Sequence, residues 1–205
     1  MFKLFCALIF TLNGWKLQKN TQKRIPRSVV LGAPHTSNWD LIISMGGFYK
    51  MKFPLKFFIK KEWLRIFPLN KLLLSAGAVS VDRESKNATM VDNMAEAIKT
   101  SREDIALLVT PEGTRKRKCT WKTGFYYTAL KAGVPIVLTC LDYSKKLAVF
   151  GPAFMPTGDF KKDMEIVKEY YKDVVPKYPE NFCLDIYVED EETEEKEQQK
   201  QTVKA

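Results

Sequence analysis

The 205-residue chain has a single histidine, His35, and only four cysteines, Cys6, Cys119, Cys140 and Cys183, at no paired spacing. So few imidazoles and thiols leave a transition-metal centre without its usual ligands, so no metal site is expected. Scattered cysteines also argue against a dense disulfide framework and fit a reducing compartment. Long apolar runs are missing too: the longest, Met1 to Leu12, is broken by Lys3 and Thr11 and falls short of the roughly 20 residues that span a bilayer. The segment after it, Asn13-Gly14-Trp15-Lys16, is a poor signal-peptide cleavage site. No internal repeat is visible.

Basic residues exceed acidic ones, with a formal charge of +9. The excess is larger in the body, because residues 189–205 carry seven acids against three lysines. Without that tail, 30 basic and 17 acidic residues remain, a charge of +13. Such a body favours an anionic partner: a phosphorylated small molecule, nucleic acid or an anionic membrane surface. The basic residues are dispersed and no nucleic-acid motif accompanies them, so nucleic acid is not expected as a partner.

Three regions follow: an apolar and basic segment over 1–27, one domain over 28–188, and a charged tail over 189–205 whose composition predicts disorder. In the first, an apolar run followed by Trp15 and cations suits an interfacial membrane anchor. The alternative is a helix packed on the domain's own core. From residue 28 onward, short β-branched runs alternate with amphipathic stretches, predicting an α/β fold with a largely parallel central sheet flanked by helices. Strands are predicted over 28–32, 56–59, 77–81, 105–109, 135–140 and 147–150. Helices are predicted over 38–50, 62–74, 86–101 and 123–132. Phe160, Met164, Val167, Tyr171 and Val174 then recur at helical spacing and mark a last buried stripe. A short strand is expected over 182–188.

Three segments carry chemistry. His35 and Asp40 lie five positions apart where the first predicted strand meets a helix, the place where α/β sheets present ligand-binding loops. A carboxylate on one ring nitrogen lets the other take a proton from a hydroxyl near neutral pH. Thr110-Pro111-Glu112-Gly113-Thr114-Arg115 follows an apolar strand and reads as a phosphate-binding turn, in which glycine permits close approach and arginine grips oxygens in pairs. Gly77 to Arg83 is a strand running into an arginine at the same predicted rim. A hydrolase is the nearest enzymatic alternative, since Ser37 is close to His35, but no Gly-x-Ser-x-Gly elbow occurs and Ser37 suits a helix cap.

In this order the segments resemble the blocks of the glycerophospholipid (lysophosphatidic acid type) acyltransferase family. His35 to Asp40 is similar to its His-x4-Asp block, Gly77 to Arg83 to its second, Pro111 to Arg115 to its Glu-Gly-Thr-Arg block, and Val134 to Leu138 to its Val-Pro-Ile block. Lys61-Glu62 and Pro68 are similar to positions preceding the second. The resemblance implies a glycerol-3-phosphate acyltransferase-like domain that needs no cofactor. It implies acyl-CoA or acyl-carrier protein as donor, a lysophospholipid or glycerol phosphate as acceptor, and a place at the cytoplasmic face of a membrane. It implies His35 as general base, Asp40 as its partner, and Arg83, Glu112, Gly113, Thr114 and Arg115 as acceptor-binding positions. Pro34, Ser80 and Leu138-Thr139-Cys140 depart from the family's usual residues.

Overall fold

Alternation along the central strands divides the core in two. Val29 and Leu31 face one side of the sheet and Val30 faces the other, all fully buried, as period-two side chains must be in a strand covered on both faces. A computed structural model of the chain describes residues 2–20, 25–60, 65–81 and 89–184. Its strands are β1 (Lys16–Lys19), β2 (Arg27–Gly32), β3 (Leu55–Lys60), β4 (Ala78–Val81), β5 (Ile105–Val109), β6 (Ile136–Asp142) and β7 (Leu147–Phe154). They form one sheet in the order β1-β7-β6-β2-β5-β3-β4. Every pair is parallel except the β6–β7 hairpin.

The helices are α1 (Phe2–Leu12), α2 (Trp39–Lys50), α3 (Leu69–Ala76), α4 (Met90–Thr100), α5 (Gly124–Ala132) and α6 (Phe160–Tyr171). On one face, Ile98 of α4, Phe125 of α5 and Met164, Val167 and Tyr171 of α6 pack on Val29, Leu31, Leu107 and Leu138. The predicted α6 stripe is therefore core. On the other face, Cys6 of α1 and Met45 and Phe48 of α2 pack on Val30, Ala106, Val137 and Phe150.

The six predicted strands from 28 to 150 all occur. A seventh, β1, comes from the N-terminal segment and pairs with β7 from Lys16↔Leu147 to Lys19↔Phe150. With one apolar residue in four it has no hydrophobic period to read; it completes the hydrogen bonding of an edge. The helix expected over 62–74 is α3, which starts only at Leu69, because Pro68 disfavours helical backbone in the residue before it. Residues 61–64, 82–88 and 185–205 lie outside the described residues, and with them Lys61, Glu62, Arg83 and the charged tail. Of the strand expected over 182–188, residues 182–184 are not extended into any sheet.

Helix α1 packs across α2 at Gly46. A Cβ there would stand 2.5 Å from the Cys6 carbonyl oxygen and 2.8 Å from Phe10 Cβ, so glycine is what lets the helices approach this closely. Cys6, Ala7 and Phe10 are buried by this crossing, while Leu4, Phe5, Leu8 and Leu12 stay exposed. Helix α1 thus packs one face on the domain and leaves the other exposed. Among the described residues no helix is long and apolar enough to cross a membrane.

Candidate active site

Strands β2 and β5 lie side by side in parallel, with Leu31 opposite Val109, so the loops leaving them emerge together. From β2 the chain passes a cis Ala33–Pro34 bond into His35. From β5 it passes Thr110 and Pro111 into Glu112. The two are joined: Glu112 Oε1 accepts the backbone N–H of His35 at 2.9 Å. Glu112 is buried. Burial raises its carboxyl above the usual range, against the lowering effect of the His35 N–H. Its Oε2 is buried with no hydrogen-bond partner among the described residues.

His35 Nδ1 lies 3.2 Å from Asp40 Oδ2. The same oxygen accepts the backbone N–H groups of Thr36 and Ser37, each at 2.9 Å, while Oδ1 accepts the Tyr143 hydroxyl at 2.6 Å. Burial alone would raise the Asp40 carboxyl, but hydrogen bonds from His35, Tyr143 and Ser37 hold it below the ordinary carboxylate range. A carboxylate only accepts, so Nδ1 of a neutral His35 carries the ring proton and Nε2 keeps its lone pair. The side chain of His35 is 22% exposed and that of Asp40 6%; the imidazole can be reached and the carboxylate cannot. Tyr143 is pushed up, first by burial and then by Asp40, so it remains a donor.

His35 opens into a cavity of about 560 Å³. Asp40, Leu41, Ile42, Ser44, Met45, Gly47, Phe48 and Met51 line one wall, so the cavity follows α2 over most of its length, about 17 Å at 1.5 Å per residue. The opposite wall comes from the sheet, with Gly32, Leu108, Thr139 and Phe150, and Phe2 of α1 contributes as well. Apart from the His35 end, with Asn38, Thr110 and Arg115, the lining is mostly apolar.

Of the residues singled out in the sequence, the structure brings His35, Asp40, Glu112 and Arg115 together. Arg115 is exposed and lines the cavity; among the described residues no hydrogen bond or ion pair engages its guanidinium. Gly113 has φ +64°, the left-handed turn that favours glycine, and Thr114 Oγ1 accepts the Lys116 N–H at 3.2 Å. Neither lines the cavity. Ser37 Oγ accepts the N–H of Trp39, the first helical residue, at 3.2 Å, from one position before Asn38, the residue that occupies the N-cap.

The loop bearing Arg115 is braced by a pair that spacing could not reveal. Cys119 and Cys183, 64 residues apart in sequence, form a disulfide, which runs against the expectation of a reducing compartment drawn from scattered cysteines. Beside it Trp121 Nε1 donates to the Cys183 carbonyl at 3.1 Å and Arg117 to the Glu180 carbonyl at 3.1 Å. Tyr143 also escaped the sequence reading, because nothing about a tyrosine in a hairpin turn marks it as Asp40's partner.

Residues 16–141 match the family model described as Acyltransferase, a span that holds His35, Asp40, Glu112 and Arg115 and covers more than half of the chain. The chain belongs to the acyltransferase family. A 1-acyl-sn-glycerol-3-phosphate acyltransferase of Haemophilus influenzae is 27% identical to this acyltransferase over 149 residues, 68% of the chain. The alignment spans only 59% of that relative's length. The crystal structure of the 1-acyl-sn-glycerophosphate (LPA) acyltransferase PlsC from Thermotoga maritima superposes with a TM-score of 0.59 at 19% identity. It covers 86% of this chain and 79% of that one. That likeness bears on the fold, which is an α/β acyltransferase domain.

Proposed function

We propose that this acyltransferase moves a fatty acyl group from an acyl thioester, acyl-CoA or acyl-carrier protein, to the free hydroxyl of a 1-acylglycerol 3-phosphate or similar lysophospholipid. One observation carries the reading: the His35–Asp40 pair opens at one end of a long apolar cavity whose same end bears Arg115. The apolar length suits a hydrocarbon chain and the guanidinium suits a phosphate, so the reacting carbonyl and hydroxyl meet at the imidazole. His35 Nε2 takes the hydroxyl proton as the oxygen attacks the thioester carbonyl. The tetrahedral intermediate then expels the thiolate, which takes the proton from the imidazolium. Holding both partners at His35 supplies the proximity the reaction needs.

Direct transfer fits the nearby side chains better than an acyl-enzyme does. Cys140 lines the cavity, but burial pushes its thiol up to about 11, which leaves little thiolate to act as nucleophile. The Ser37 hydroxyl faces a helix N–H rather than the imidazole.

A membrane surface would deliver the lipid acceptor. Leu4, Phe5, Leu8 and Leu12 of α1 are exposed, as are Ile66, Phe67, Leu72 and Leu74 in and before α3, and α1 touches α3. Arg65 and Lys71 are exposed before and in α3, and Lys50, at the end of α2, is exposed beside α1, where it donates to Thr11 Oγ1, as suits an interfacial surface meeting anionic headgroups.

Lipid mass spectrometry after incubation with mixed acyl thioesters and several lysophospholipids and aminolipids tests this reading. Diacylated phosphate-bearing glycerolipid is the expected product. Acylation of aminolipids alone would replace the acceptor assignment.

A further inference from the structure

Among the described residues, three of the four hydrogen bonds to the Asp40 carboxylate come from its own segment and all three fall on Oδ2: His35 Nδ1, Thr36 N–H and Ser37 N–H. Among the described residues, Oδ1 is reached by the Tyr143 hydroxyl alone, at 2.6 Å and from 103 residues away. We propose that Tyr143 is the third member of a His35–Asp40–Tyr143 relay, a positioning residue that sets the orientation and basicity of Asp40 and through it those of His35. The proposal rests on the reading of His35 as general base.

Tyr143 is held as such a role requires. It sits in the turn between β6 and β7, where Asp142 accepts the N–H groups of Ser144 and Lys145 and the Ser144 hydroxyl. Its own N–H donates to the Val175 carbonyl at 2.8 Å. Its ring stands edge-on to Trp15, with centroids 4.8 Å apart, and Trp15 is buried against the domain. The hydroxyl thus reaches Asp40 from the β6–β7 turn, a segment distant in sequence from β2 and α2. Tyr143 does not line the cavity, so it acts on substrate only through Asp40.

Removing the hydroxyl leaves Asp40 Oδ1 without that donor. The carboxylate becomes more basic and draws harder on the Nδ1 proton, which raises the pKa of the His35 imidazolium. Because the base must be neutral, the acid limb of the kcat/KM profile moves to higher pH. Among the described residues the other titratable groups near His35 are Glu112, Arg115 and Cys140, and Tyr178 lies near Tyr143; the substitution changes none of these side chains.

The test measures Tyr143→Phe, Asp40→Asn, the double variant and His35→Ala in the full chain, using an acyl thioester and a lysophosphatidate. Phenylalanine keeps the ring against Trp15. For Tyr143→Phe the expected result is a fall in kcat of about tenfold, an acceptor KM changed less than about twofold, and an acid limb shifted upward. In the Asp40→Asn background the same substitution should cost little more, because the two act as one unit. An unshifted pH profile with full kcat would overturn the proposal. So would a kcat that falls only in step with loss of folded protein by near-ultraviolet circular dichroism, or losses that simply multiply in the double variant. If His35→Ala keeps activity, the base assignment itself fails. If His35→Ala is inactive while Tyr143→Phe behaves as the parent protein, only the relay fails.

Discussion

His35→Ala is expected to lower kcat by about 10²- to 10⁴-fold, the range that a positioned general base contributes, while the melting temperature stays close to that of the parent protein. The two halves of this result have separate causes. Activity falls because Nε2 is the lone pair presented to the hydroxyl at the cavity end, and no second imidazole exists in the chain. Stability holds because Asp40 keeps three other donors, the N–H groups of Thr36 and Ser37 and the hydroxyl of Tyr143, so no buried carboxylate is stranded. The backbone N–H of residue 35 can still donate to Glu112. Steady-state acyl transfer beside a thermal melt reads both halves, and a variant that still turned over near the parent rate would sink the mechanism.

Arg115→Ala is expected to raise the acceptor's KM by roughly 10- to 100-fold, with a smaller change in kcat. Hydrogen bonds to charged groups are worth about 1.5–3 kcal/mol, and about 1.4 kcal/mol corresponds to tenfold in binding. Because Arg115 lines the cavity and is exposed, its loss leaves no buried charge unpaired and should not unfold the loop, which the Cys119–Cys183 bond also holds. Arg115→Lys should recover only part of the loss, since an ammonium keeps the charge without the paired donors. Initial rates across a range of acceptor concentrations separate KM from kcat. An unchanged KM would place the phosphate grip elsewhere.

The features legible in the sequence share a cause: each depends on residues close together along the chain. β-Branched runs mark the central strands because these are buried on both faces. His35 and Asp40 meet because five residues at a strand-to-helix junction return the carboxylate to the ring. What stayed hidden depends on distant segments or on backbone alone. Tyr143 finds Asp40 only after β6 has been laid beside β2. Cys119 finds Cys183 only when the segment after α6 returns to the Arg115 loop. β1 has no apolar period because its role is to pair with the edge of β7. The motif makes Glu112 an acceptor-binding position, but in the structure it is buried and accepts the His35 N–H, a bracing of that backbone that no motif encodes.

The most direct test of direct transfer by His35 follows thioester consumption by the full chain with and without lysophosphatidate, while tracking free acid and the mass of the intact protein. The expected result is consumption that requires the acceptor and yields equal amounts of free thiol and acylated lipid, with no acyl adduct on the protein. Thioester consumed at the same rate without acceptor, releasing free acid, or an adduct that forms before acceptor is added, would contradict it.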